Sequence, residues 1–350
     1  MKSKDWCSVT EARSIPAQAC AVALRLAGDG AEISPLQSGG RNSRIYRVDR
    51  SGVTYALKQY PSKEFDPRDR LATEVGALRL MEQAGLKTVP RVVAVDNENG
   101  YALLSWLEGQ VPAELTDSDI DAAVAFLDAV QALRASPWAG RQPAAAEACL
   151  SGEEIARQLS ERRARLWSAA TDNTELADFI DKIFDPLHRQ LLDEARTKLA
   201  TGRLDFAVEL PQERRSLVPS DFGFHNSLRH PDGSLAFVDF EYFGWDDPVK
   251  MTADILLHPG YQLSASHRSR FRRMAVALYG TDPDFAARLG ALLPLFGLRW
   301  TLILLNEFIP ERWQNRLLAG ATESWDAAKT RQLNRARDFL SSLAVKLESQ

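Results

Sequence analysis

The dominant hydrophobic pattern of this chain changes period near Gly109, and that change limits what it can fold into. From Ser43 to Trp106 apolar residues mostly alternate with polar ones, as in strands; after Gly109 they recur at helical spacing. Ser43 to Asp49 alternates, Ser51-Gly52 supplies a turn, and Val53 to Tyr60 alternates again, so the pair reads as a hairpin. Leu71, Val75, Leu78 and Met81 mark one helix face, which Gly85 ends. Val89 to Val95 and Tyr101 to Trp106 give two more strands about the turn Asp96 to Gly100. Ahead of them, Ala19, Val22, Ala23, Leu26 and Ala27 place an introductory helix within residues 1–30.

Beyond Gly109 the pattern predicts helix over 117–134, a loop over 136–152 and a charged amphipathic helix over 153–200. Two short strands flank 217–241, and helix follows. The expectation is an α+β fold of two lobes. Residues 1–107 form a small β-rich lobe with one inserted helix, and residues 108–350 a larger, mainly helical lobe.

Composition narrows the class. Hydrophobic residues are 45% and charged residues 26% of the 350, with a net charge of −4. A disordered tail or a fibre is excluded, and the global basic footprint of a nucleic-acid binder is missing. Cys7, Cys20 and Cys149 form no CxxC pair, which suits a reducing compartment. Met1 to Arg13 is polar, without the apolar core of a signal peptide. The most apolar stretch, Leu289 to Leu305, is interrupted by Pro294 and Arg299 and reads as a buried helix, not a membrane span. The expected location is the cytoplasm.

Four features carry chemistry. The first is the small-residue turn Ser38-Gly39-Gly40-Arg41-Asn42-Ser43, whose backbone N–H groups can approach phosphates; taken alone it reads first as a Gly-Gly hairpin turn. The second is Lys58, on the strand face opposite Leu57, with Glu74 on the next helix. A Lys held by a Glu can place its ammonium on nucleotide phosphates, and two solvated charges are the plain alternative. The third is Asp221-Phe222-Gly223-Phe224-His225-Asn226, in a loop before a strand. Its Asp can accept a proton from a hydroxyl and its Asn oxygen can bind a hard cation, or both can cap turns. The fourth is Asp239-Phe240-Glu241, closing an apolar strand with two carboxylates on one face, a candidate Mg²⁺ site.

In this order the four resemble the aminoglycoside phosphotransferase and choline kinase family, small-molecule kinases with a protein-kinase-like bilobal fold; the resemblance spans roughly residues 31–256. It implies an enzyme that moves the γ-phosphoryl group of ATP (or GTP) to a small hydroxylated substrate with Mg²⁺. Ser38, Gly39, Gly40 and Asn42 fall where the family covers the phosphates. Lys58, backed by Glu74, falls at the nucleotide lysine, and Ser105, Trp106 and Leu107 at the segment whose backbone meets the base. Asp221 matches the catalytic base, and Asn226, Asp239 and Glu241 the metal ligands. The alternative is a nucleotide-binding pseudokinase without turnover. A protein kinase is disfavoured, because Asp239 is followed by Phe240-Glu241 and not Phe-Gly.

The chain also departs from that pattern. Pro219 and Ser220 stand where the family's loop has His and Gly, and Met251 where a later Asp is usual, with Asp254 three residues on. His225 reads as a local packing residue, and His188, His230, His258 and His267 as ordinary surface or core histidines. An excess of acids over 108–200 is set against an excess of bases over 251–350, including Arg268, Arg270, Arg272 and Arg273. That balance favours a sugar, an amino alcohol or another small metabolite over a polycationic drug. Arg299, Asn306 and Glu307 interrupt an apolar helix, either as a core polar network or at the edge of the acceptor pocket.

Overall fold

The computed structural model describes residues 15–36, 43–62, 66–318 and 322–348. It divides into two compact units, Met1–Leu71 with Val92–Trp106, and Ala72–Arg91 with Leu107–Gln350.

The first unit is built on five antiparallel strands in the order β1-β2-β3-β5-β4: β1 (Glu32–Pro35), β2 (Arg44–Arg50), β3 (Val53–Gln59), β4 (Val92–Asp96) and β5 (Tyr101–Ser105). The predicted hairpin is β2–β3, closed by Ser51 and Gly52, both at positive φ. Helix α1 (Ala17–Ala27) lays Ala19, Val22 and Ala23 on Tyr46, Val48, Leu57, Tyr101 and Leu103, which forms the core of this unit. Alternation then turns Lys58 and Ala56 to the opposite face.

The second unit is helical except for two small two-stranded sheets. β6 (Ser216–Val218) pairs with β9 (Gly244–Asp246), and β7 (Ser227–Arg229) with β8 (Leu235–Phe237). The sequence suggested two short strands here; four form, each of three residues. Helix α2 (Arg70–Gln83), expected to belong with the sheet, groups from Ala72 onward with the second unit. The expected continuous helix over 153–200 is broken into α4 (Gly152–Ala169), α5 (Thr174–Phe179), a π-helical turn (Ile180–Phe184) and α6 (Asp185–Thr201). Asn173 causes the break: its side chain caps Leu176 N–H at 2.9 Å and starts α5 afresh.

Helix α3 (Asp117–Ala132) opens on a capping box between Thr116 and Asp119. α7 (Pro248–Leu257) is capped by Asp247 with Pro248 in its first turn, and α8 (Ala265–Leu278) is capped by Ser264. α9 (Phe285–Leu304) is the central helix, packed by α4, α6, α7 and α11 (Trp325–Glu348), with α10 (Pro310–Leu318) between α9 and α11 in sequence. The segment Phe285–Phe308 is long and apolar enough to cross a membrane, but 78% of its apolar window is buried inside the protein, as expected of a core helix.

Arg299 and Glu307 both have partners. Arg299 Nη2 donates to Glu147 at 2.5 Å and Nε to Gln158 Oε1 at 3.2 Å, and Glu307 Oε1 accepts from Arg316 Nε at 2.9 Å. Both side chains are buried, so of the two readings the polar network is the one this geometry favours. Cys149 is buried too, and burial pushes its thiol pKa up.

Candidate functional site

The loop 219–226 joins β6 to β7, and Asp239 follows β8. The β7–β8 register pairs Ser227 with Phe237, which brings the end of the loop beside the end of β8. The Val238 amide donates to the Asn226 carbonyl at 3.0 Å, and Asn226 Nδ2 donates to the Asp221 carbonyl at 2.8 Å. The amide nitrogen of Asn226 is thereby committed to the loop and its oxygen is directed elsewhere. Asp221, Asn226 and Asp239 are thus tied together through backbone groups.

An aromatic cluster lies beneath them. Phe126 of α3 stacks on Phe222 at 5.4 Å and packs on Phe237 at 4.6 Å and Phe240 at 6.0 Å. Phe222 adjoins Asp221 in sequence, and Phe240 adjoins Asp239.

Ligand oxygens of Glu74, Asp239 and Glu241 all lie within 4.8 Å of one another. Glu74 Oε1 also accepts the Phe240 N–H at 3.2 Å, which fixes helix α2 to this strand end. Asp239 has φ +71°, a left-handed conformation that costs a non-glycine residue energy and aims its carboxylate away from the extended path. Three carboxylates this close repel unless a cation or protons intervene, and an all-oxygen set suits a hard divalent ion such as Mg²⁺. The sequence placed Asp239 and Glu241 in that role; Glu74 was assigned to Lys58, and its place in the carboxylate cluster was not foreseen.

Asp221 is partly exposed. Burial alone would raise its pKa, but the imidazoles of His225 and His258 and the Lys250 ammonium hold it down to about 2. It is therefore a permanent carboxylate at neutral pH. His225 Nε2 lies 3.4 Å and His258 Nε2 3.9 Å from Asp221 Oδ1. Behind the loop, buried Lys250 lies 3.4 Å from Asp246 Oδ2, 3.3 Å from Asp254 Oδ2 and 3.4 Å from Ser220 Oγ. Burial disfavours its charge, yet Asp254 and Asp246 outweigh that and keep it protonated. Asp254 also accepts from Trp300 Nε1 at 2.9 Å, so it anchors structure close to where the family has its later Asp.

Sequence reasoning missed His258 and Lys250. His258 lies 33 residues after His225 with no local spacing to betray it. Lys250 did carry a signal: Asp246 and Asp254 stand four residues to either side of it, a pattern that can neutralise a lysine in an otherwise apolar helix.

In the first unit, Lys58 is buried on β3, paired across strands with Ile45 and Ala102, with its ammonium 5.0 Å from the Tyr60 ring centroid. Ser105 ends β5 opposite Tyr55. Trp106 lies under the Arg47 guanidinium at 5.3 Å, and its buried Nε1 makes no hydrogen bond among the described residues. The boundary between the two units falls between Trp106 and Leu107. Ser38, Gly39, Gly40 and Asn42 lie outside the described residues.

No curated protein matches the chain in sequence. Solved structures do match in fold. A protein from Ralstonia eutropha JMP134, described as a candidate aminoglycoside phosphotransferase, aligns with a TM-score of 0.57 at 14% identity, over 93% of this chain and 98% of that one. Spectinomycin phosphotransferase APH(9)-Ia, solved with ADP and spectinomycin, aligns at 0.57 and 12% identity over 91% and 93%. The gentamicin complex of APH(2")-IIa aligns at 0.55 and 13% identity over 96% and 97%. These likenesses establish a kinase-like fold. The model of the phosphotransferase enzyme family matches residues 32–290, which takes in Lys58, the loop 219–226 and the carboxylate cluster, and the chain belongs to that family.

Proposed function

We propose that the chain transfers the γ-phosphoryl group of ATP (or GTP) to a hydroxyl of a small metabolite, a sugar or amino alcohol before an aminoglycoside. The observation that carries this reading is the backbone tie between Asp221 and the Asp239 strand end through Asn226. Phosphoryl transfer needs a carboxylate for the acceptor hydroxyl and a charge-neutralising centre for the phosphates held at fixed separation. Three similar structures were solved with ADP, which supports a nucleotide as the donor.

In this scheme Lys58 takes the α- and β-phosphates, and the backbone of Ser105, Trp106 and Leu107 meets the base. Ser38, Gly39, Gly40 and Asn42 cover the phosphates. Asn226, Asp239 and Glu241, joined by Glu74, would hold Mg²⁺, which when bound neutralises phosphate oxygens. Asp221 accepts the hydrogen bond of the acceptor hydroxyl, orients its oxygen for attack and takes the proton as the bond to phosphorus forms. A carboxylate of so low a pKa is a weak base, so orientation is its larger contribution.

The choice of acceptor rests on charge pairing. Glu147 is shared by Arg162 and Arg299, Asp121 is bound by Arg270, Asp119 by Arg229 and Asp185 by Arg163. Acids already neutralised by arginine offer little to a polycation.

The test is a panel of sugars, amino alcohols and aminoglycosides with Mg·ATP, read by ATP consumption and product mass. Turnover is expected with a sugar or amino alcohol. Asp221→Asn should lower it about 10²–10⁴-fold while leaving nucleotide affinity in place. Nucleotide binding without transfer to any acceptor would overturn the catalytic reading. An aminoglycoside as the fastest acceptor would overturn the acceptor class.

A further inference from the structure

Three aromatic rings pack on the imidazole of His258. His225 stacks on it at 3.9 Å with planes 6° apart, Tyr261 lies 5.1 Å away at 14°, and the edge of Trp300 meets it at 4.6 Å. The outer members are themselves anchored: the Tyr261 hydroxyl donates to the Ile255 carbonyl at 3.0 Å, and Trp300 Nε1 to Asp254. The fourth restraint sets the chemistry. The Gly260 amide donates to His258 Nδ1 at 3.0 Å, so that nitrogen presents its lone pair and the ring carries its proton on Nε2. A Cβ at residue 260 would lie 2.8 Å from Nδ1, so the close approach depends on glycine.

Nε2 is the ring nitrogen on the Asp221 side, 3.9 Å from Oδ1. Three potential ligands converge here, Asp221, His225 and His258, and a metal site is the obvious alternative. The geometry argues against it. Nearly parallel rings send their nitrogen lone pairs side by side, not to a common point, and the His258 tautomer points a proton toward the carboxylate.

We propose that His258 is a positioning residue: its Nε2–H, seated in the His225–Tyr261–Trp300 stack, holds Asp221 Oδ1 and leaves Oδ2 to the acceptor hydroxyl. This rests on Asp221 being the group that receives that hydroxyl. At 3.9 Å the contact is longer than a hydrogen bond, so the proposed role requires the two atoms to close to hydrogen-bond distance when the acceptor hydroxyl takes Oδ2. His225 approaches the same oxygen from the loop itself, and both of its buried ring nitrogens lack a hydrogen bond among the described residues. His225 thus serves as the flat surface against which His258 is registered.

Two substitutions separate the donor from the ring. His258→Phe keeps a flat ring in the stack and removes the N–H. His258→Gln loses the ring but places an amide N–H near the position of Nε2. Both are measured in the full-length chain with Mg·ATP and the fastest acceptor of the panel. The imidazole ¹⁵N resonances of the wild-type chain are recorded in parallel. The expected result is a kcat about 10- to 100-fold lower in the Phe variant, with the KM for ATP and the melting temperature unchanged. The Gln variant should recover most of that loss, and the ¹⁵N shifts should show a neutral His258 protonated on Nε2. Wild-type kcat in the Phe variant, equal loss in the Gln variant, or a proton on Nδ1 would each overturn the proposal. Its failure is distinct from failure of the catalytic reading. Full turnover in Asp221→Asn removes the base itself, whereas an inactive Asp221→Asn beside a fully active His258→Phe removes only the positioning role. If no acceptor is turned over, the ¹⁵N arm still decides the tautomer.

Discussion

Lys250 Nζ lies 3.4 Å from Ser220 Oγ, so a buried ammonium supports the residue immediately before Asp221. Ser220 holds φ +69°, a conformation that glycine adopts freely and serine does not. The cation beneath it, fixed by Asp246 and Asp254, gives the strained hydroxyl a partner.

Lys250→Met should therefore destabilise the chain by about 3–5 kcal/mol, because it leaves Asp246 buried opposite a neutral side chain. Thermal unfolding measures it. A melting temperature within a degree of wild type would show that the ammonium does not hold the loop.

Asp239→Asn tests the carboxylate cluster. Asparagine tolerates the left-handed backbone at this position, so the fold and melting temperature should be retained. Removing one charge from the set of Glu74, Asp239 and Glu241 should raise the Mg²⁺ concentration for half-maximal turnover at least about 10-fold. An unchanged Mg²⁺ titration would place the ion elsewhere.

Acid stability should depend on Glu147. Burial would raise its pKa, but Arg162 and Arg299 hold it down to about 2. A carboxylate depressed in the folded state stabilises above its unfolded pKa, near 4.5, and that contribution disappears as pH falls toward 2. The melting temperature of the wild type should drop over this window. Glu147→Gln should start lower at pH 7 and show a shallower fall, and parallel curves would sink the assignment.

Glu307→Gln separates structure from specificity in the central helix region. The pairing with Arg316 is buried on the Glu307 side, so neutralising it should cost about 1–3 kcal/mol of stability with the acceptor KM unchanged. A shifted KM at constant melting temperature would move Glu307 to the acceptor pocket.

The readable parts of this chain are those whose signals are local. The β2–β3 hairpin declares itself through alternation about Ser51-Gly52, and Lys58 follows from its place in that alternation. The loop 219–226 and Asp239 stand out by residue type and short spacing, and the structure brings them together. The break at Asn173 was hidden because a charged amphipathic period runs across it, and only the capping contact reveals that the helix restarts. His258 was hidden for the opposite reason: its partners come from the loop before β7 and from α9, and no spacing in the sequence records a tertiary stack.

The ring of Phe126 touches the neighbours of both chemical carboxylates, Phe222 beside Asp221 and Phe240 beside Asp239. One side chain on α3 thus braces the loop of Asp221 and the strand end of Asp239 together. A smaller side chain at Phe126 would loosen the loop and the strand end at once, so the two carboxylates are mechanically linked through a residue that carries no charge of its own.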